Sequence, residues 1–178
     1  MRRSVRGPTR RRQRLPEWRE LRVGVLLRAL AEGGVDFVVI GGIAAVAHGS
    51  LQITQDLDIA YSGDEENLGR LGQVLVTLNA RLAGVTDDVP FVPDGRTLRN
   101  VRVLTLSTPD GDLDVLAEPD GSGGYARLRA NAITATVEGV EVRIAGLEDL
   151  IAMKKAAGRP KDRVYIEELE AIRRLQAG

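Results

Sequence analysis

The sequence contains no cysteine and a single histidine, His48. The first absence excludes disulfides, thiolate metal sites and a cysteine nucleophile. The second leaves no basis for a histidine-built zinc site or a Ser-His-Asp triad. Aromatic residues make up only 3%, so the core must be built from Val, Leu, Ile and Ala, and stacking platforms for single-stranded nucleic acid are not expected. No apolar run is long enough for a signal-peptide core or a membrane span, which predicts a cytosolic protein without a membrane partner. Chemistry is left to carboxylates, Lys, Arg, hydroxyls and the backbone.

At 178 residues, 43% of them hydrophobic and 28% charged, the chain has the composition of one globular domain with a core of its own. The formal net charge is zero, but the charge is unevenly placed. Arg2, Arg3, Arg6, Arg10, Arg11, Arg12 and Arg14 precede the first acid, Glu17. This arm, residues 1–15, reads either as a solvated tail or as an anchor for RNA or another polyanion. Residues 16–145 read as the core, and 146–178 as a C-terminal helical segment of the same domain.

The predicted elements alternate. Pro16-Glu17 starts a helix that runs to about Glu32 with Leu21, Val25 and Leu26 at helical spacing, and Gly33-Gly34 stops it. "VDFVVI" (35–40) is a buried strand ended by Gly41-Gly42, after which "IAAVAHG" is a short helix with His48 packing or capping near Gly49. "DLDIAY" (56–61) is a strand, and Leu68, Leu71, Leu75 and Leu78 line a helix from about Asp64 to Leu82. Residues 84–100, rich in Gly, Pro and Asp, read as a loop. Strands over 101–108 and 112–118 flank the turn Pro109-Asp110-Gly111. A short helix (125–131), a weaker strand pair and two closing helices (147–157 and 160–176) follow. The glycine-rich stretch 119–125 lacks the lysine of a phosphate loop and reads as a turn. The fold class is α/β (α+β): a small mixed sheet flanked by helices, with a helical tail.

Asp56 and Asp58 stand two apart in an otherwise apolar strand, so both project from one face, roughly 6–7 Å apart along it. Two full charges at that distance repel by about 2–3 kcal/mol at an effective dielectric near 20. A divalent cation converts the repulsion into attraction, and oxygen-only ligands favour Mg²⁺ or Mn²⁺. Asp112 and Asp114 repeat the alternation in the later strand. Asp114 lies deeper and completes the cluster if the two strands are neighbours, whereas Asp112, beside the turn, is solvated. Three carboxylates around two metal ions can orient a nucleoside triphosphate, activate a hydroxyl and stabilise departing pyrophosphate. A Gly-Gly pair between strand and helix lets backbone amides approach phosphate closely.

A hydrophobic residue followed by Gly-Gly, a short helix, an apolar-flanked Asp-x-Asp and a later single Asp resembles the polymerase-beta-type nucleotidyltransferase superfamily. "VIGGIAAVAHGSLQITQDLDI" is similar to the version in small bacterial nucleotidyltransferases, including AbiEii-like toxins of type IV toxin–antitoxin pairs, and "GLEDLIAMKKAAGRPKD" to their second signature. The resemblance runs from Val35 to about Leu169. It implies a nucleotidyltransferase fold and NTP-dependent, pyrophosphate-releasing transfer using two Mg²⁺ or Mn²⁺ ions. Asp56, Asp58 and Asp114 would be catalytic metal ligands, Asp114 alternatively the base. Gly41, Gly42, Lys154, Arg159 and Lys161 would hold the nucleotide, with Asp162 in the same signature. Lys154 and Lys155 cannot share a helix face, and the pattern selects Lys154. The toxin-like group further implies tRNA, at its 3′ end, as acceptor and a cognate antitoxin as partner. Transfer to a protein or small-molecule hydroxyl, and a catalytically idle binding module, are the alternatives. The sequence departs from the resemblance at Gly42, where Ser is common, at Gln52, near which Arg is common, and at Tyr165, where an acid is usual.

Overall fold

A computed structural model describes residues 20–85, 91–160 and 162–176; the Arg-rich arm lies outside them. Helix α1 (Val23–Glu32) precedes strand β1 (Phe37–Ile40), helix α2 (Gly41–Ala47) and strand β2 (Asp56–Tyr61). Helix α3 (Glu65–Thr77), strand β3 (Arg81–Leu82) and helix α4 (Gly95–Asn100) lead to the hairpin β4 (Val103–Thr108) and β5 (Gly111–Leu116). Helix α5 (Tyr125–Asn131), the hairpin β6 (Ile133–Val137) and β7 (Val140–Ile144), and helices α6 (Leu147–Ala157) and α7 (Asp162–Gln176) complete the order.

The strands form one mixed sheet in the order β3-β4-β5-β2-β1-β7-β6. β1 is antiparallel to β2 and parallel to β7, while β2 is parallel to β5. β1 is an interior strand, and each of its four residues is buried, as its unbroken apolar run requires. β2 changes character along its length. Leu57 and Ile59 through Tyr61 are buried, whereas Asp56 and Asp58 are partly exposed on the uncovered part of one face. Helix α2 lies against β1 and β2, α6 packs on α2, and α7 packs on α6.

Three expectations are corrected. The first helix does not extend back to the described part of 17–22. Glu20–Arg22 are not helical, because Arg22 is drawn to the β4–β5 turn, its N–H donating to Asp110 O at 2.9 Å and its Nη1 to Asp110 Oδ1 at 2.8 Å. The third helix stops at Thr77, since Asn79 adopts a left-handed φ of 50° and Arg81–Leu82 turns into an edge strand paired with β4. Within 84–100, Gly95–Asn100 is a helix. Asp94 caps it by accepting the Thr97 N–H at 2.8 Å, and it buries Leu98 completely.

The Leu98 carbonyl accepts the Tyr61 hydroxyl at 3.0 Å in the core. Tyr61→Phe leaves that carbonyl unpaired and is expected to cost about 1–2 kcal/mol, seen as a lower urea midpoint with an unchanged slope.

Candidate active site

Parallel pairing of β2 with β5 sets Asp58 beside Asp114 and Asp56 beside Asp112. One carboxylate oxygen from each of Asp56, Asp58 and Asp114 lies within 4.8 Å of the others, so the cluster expected from the sequence is assembled. Asp112 stays out of it: it is exposed and accepts the Ser107 hydroxyl at 2.8 Å. Asp114 Oδ1 is buried and has no hydrogen-bond partner.

Burial and neighbouring acids raise the affinity of Asp58 and Asp114 for protons. Burial, then Asp56, then Asp114 push Asp58 up to about 7, against the opposing effects of Lys154 and the Gly42 amide. Burial also raises Asp114, with Asp56 and Asp112 adding to it; a hydrogen bond from Thr105 and the charge of Arg159 act the other way.

The two glycines occupy the first turn of α2, which the antiparallel register Ile40↔Asp58 brings against β2. Gly41 has φ +63°, and a Cβ there would collide with the Asp58 carboxylate. The Gly42 N–H is directed to Asp58 as a donor. Their immediate structural role is thus to admit and hold this acid.

Lys154 projects from α6 into an open cleft of about 690 Å³ that also contains the acidic cluster, Gly41, Gly42 and Arg159. Its Nζ is 3.5 Å from Asp162 Oδ1 and 4.4 Å from the centre of the Tyr165 ring. Lys155 leaves the site and pairs with Glu170 at 2.7 Å. Lys161 lies outside the described residues. His48 caps α2 and lies 2.9 Å from the Ala145 carbonyl, to which its Nε2–H donates, a packing role. Arg102 and Asp120, paired at 2.9 Å, line the cleft as well.

Sequence reasoning missed one contributor, Thr54, and named a second, Asp162, without its burial. Thr54 donates its hydroxyl to Asp56 Oδ1 at 3.0 Å. Asp162, with a side chain only 4% exposed, is the carboxylate that faces Lys154. A hydroxyl two residues ahead of the Asp-x-Asp pair was the available signal for the first; nothing in the local pattern signalled the burial of the second.

The same architecture occurs in solved enzymes. The structure aligns with the antibiotic-resistance factor ANT(2″)-Ia at a TM-score of 0.54 and 20% identity, over 83% of this chain and 78% of that one. With the lincosamide antibiotic adenylyltransferase LnuA, solved with lincomycin bound, the TM-score is 0.58 at 16% identity, over 86% and 99%. This chain has the nucleotidyltransferase fold. An antigenic nucleotidyltransferase-like protein from Paracoccidioides brasiliensis also shares it, at a TM-score of 0.53 and 18% identity over 86% and 74%. No family model matches the sequence, and no curated protein matches it. Among the described residues no helix is long and apolar enough to cross a membrane.

Proposed function

We propose that this protein is a metal-dependent nucleotidyltransferase that moves a nucleotide from an NTP to an acceptor hydroxyl and releases pyrophosphate. The observation that carries the reading is the convergence of Asp56, Asp58 and Asp114 within 4.8 Å at the floor of the cleft. The donor set fits a hard divalent cation: oxygen ligands only, one of them a buried, unpartnered Asp114 oxygen, and one acid pushed up to about 7 by its neighbours and burial. Two Mg²⁺ or Mn²⁺ ions held there would supply Lewis-acid stabilisation of the phosphoryl oxygens and of pyrophosphate.

The chain's own residues divide the work. Asp56 and Asp58 would hold the cations, and Asp114 would complete the ligand set or accept the acceptor's proton. Gly41 and Gly42 let the triphosphate come close to the acids. Lys154, Arg159 and Lys161 offset its negative charge. An incoming hydroxyl oxygen bonds to the α-phosphorus as the bond to the bridging oxygen of pyrophosphate breaks, and the hydroxyl proton passes to the base.

The resemblance to toxin-like enzymes supports the 3′ end of tRNA as acceptor, in the cytosol and under a cognate antitoxin, with the Arg-rich arm as an RNA contact. The fold shared with LnuA and with ANT(2″)-Ia, which is known in complex with adenylyl-2″-tobramycin, favours a second reading, transfer of AMP to a small-molecule hydroxyl. Incubation with each α-³²P-labelled NTP, Mg²⁺, and either total RNA or an aminoglycoside and lincosamide panel separates the two. Label on RNA supports the first reading and label on a small molecule the second. Absence of transfer with every NTP, and of any difference between the wild type and Asp58→Ala in cells, would favour an idle binding module instead.

A further inference from the structure

Gly42 differs from Gly41 in a way that calls for its own explanation. Its φ is not positive, so its backbone conformation is open to any residue, and its N–H would be equally present in alanine. What glycine provides at this position is space. A Cβ at Gly42 would lie 2.5 Å from Thr54 Cβ and would overlap Thr54 Oγ1. Residue 42 and residue 54 therefore compete for one volume, and here Thr54 fills it.

Thr54 lies in the connection between α2 and β2, two residues ahead of Asp56. From that volume its Oγ1 reaches Asp56 Oδ1 at 3.0 Å and the Asp56 carbonyl at 3.2 Å. A hydroxyl has one proton, and the charged carboxylate is the stronger acceptor. Donation to Oδ1 fixes the rotation of the Asp56 carboxylate and leaves Oδ2 free for a cation. A group that orients a metal ligand in this way commonly changes metal affinity by about 10–100-fold.

We infer that Thr54 is the positioning residue of the acidic cluster, and that the missing side chain of Gly42 is the space which lets its hydroxyl hold Asp56 in the metal-binding orientation. The inference rests on the metal-dependent reading above. It also gives the missing side chains of the two glycines separate roles, Gly41 admitting Asp58 directly and Gly42 admitting Thr54, which serves Asp56, while the Gly42 N–H still donates to Asp58.

The test is Mn²⁺ binding to the nucleotide-free protein, followed by electron paramagnetic resonance, with thermal melting as the check on folding. Thr54→Val keeps the shape and loses the hydroxyl; it is expected to melt like the wild type and bind Mn²⁺ about tenfold more weakly. Thr54→Ser keeps the hydroxyl and is expected to stay within about twofold of the wild type. Gly42→Ala displaces Thr54 and should weaken binding similarly, with the double variant Gly42→Ala/Thr54→Val little weaker than Thr54→Val because both remove the same contact. Should Gly42→Ala fail to fold, the two Thr54 variants decide alone. Wild-type affinity in Thr54→Val, or equal weakening in Thr54→Ser, would overturn the inference and leave the metal site standing. Absence of Mn²⁺ binding by the wild type would overturn both.

Discussion

Asp58→Asn is expected to abolish nucleotidyl transfer while making the metal-free protein more stable at pH 8. If Asp58 holds a cation as proposed, its loss should lower kcat by about a thousandfold or more. The stability change has the opposite sign because Asp58 is held unfavourably. Its pKa rises from 3.8 to about 7 on folding, through burial first and then repulsion from Asp56 and Asp114. A carboxyl raised in this way contributes its stability below the unfolded value and loses it as pH climbs through 7. Between pH 6 and pH 8 the metal-free wild type should lose about 1.4 kcal/mol through this group, or roughly 3–6 °C in melting temperature for a chain of this size. The variant should lack this component of the pH dependence. Added Mg²⁺ should raise the wild-type melting temperature at pH 8 and have much less effect on the variant. A pH-melting series with and without Mg²⁺ measures each of these outcomes.

The second large effect is expected at Lys154. Its ammonium is the charged partner of Asp162, whose side chain is 4% exposed and whose Oδ2 is buried without a hydrogen bond. Lys154→Met removes that partner and leaves a buried carboxylate uncompensated, at a cost of about 3 kcal/mol. Neutralising the acid as well, in Lys154→Met/Asp162→Asn, should restore most of the stability. Activity should not follow. Without the ammonium beside the acidic cluster, kcat/KM for NTP should fall about a hundredfold in both the single and the double variant. Urea unfolding and steady-state kinetics on the four members of the cycle separate the structural from the chemical role of this lysine. Parallel recovery of stability and activity would assign Lys154 to structure alone.

The acidic cluster is legible in the sequence because strand periodicity is strict. A carboxylate at 56, another at 58 and a third inside a later apolar run must each point away from the core side occupied by Leu57, Ile59, Leu113 and Val115. What the pattern left open was adjacency, and the parallel β2–β5 register supplies it. Elements bounded by strong punctuation, such as α6 between Gly146 and Gly158, were legible almost to the residue. Those decided by tertiary contact were not. The start of α1 depends on Arg22 reaching Asp110, 88 positions away. Helix α4 survives in a Pro- and Gly-rich stretch because Leu98 is buried. The roles of Thr54 and Asp162 are likewise three-dimensional: one depends on space left by a glycine, the other on two helices meeting.

The pairing of β2 with β5 also bears on when the site comes into being. These strands are parallel neighbours in the sheet, although α3, β3, α4 and β4 lie between them in the chain. Such a closure joins residues far apart in sequence, the kind of contact that slows folding. Before it occurs, Asp56 and Asp58 form an isolated pair on a strand and Asp114 belongs to a separate hairpin. A chain halted at that stage has all three acids but no cluster. Cation binding by this protein would therefore report that the sheet has closed, and a nascent chain released before β5 should be inert toward nucleotide.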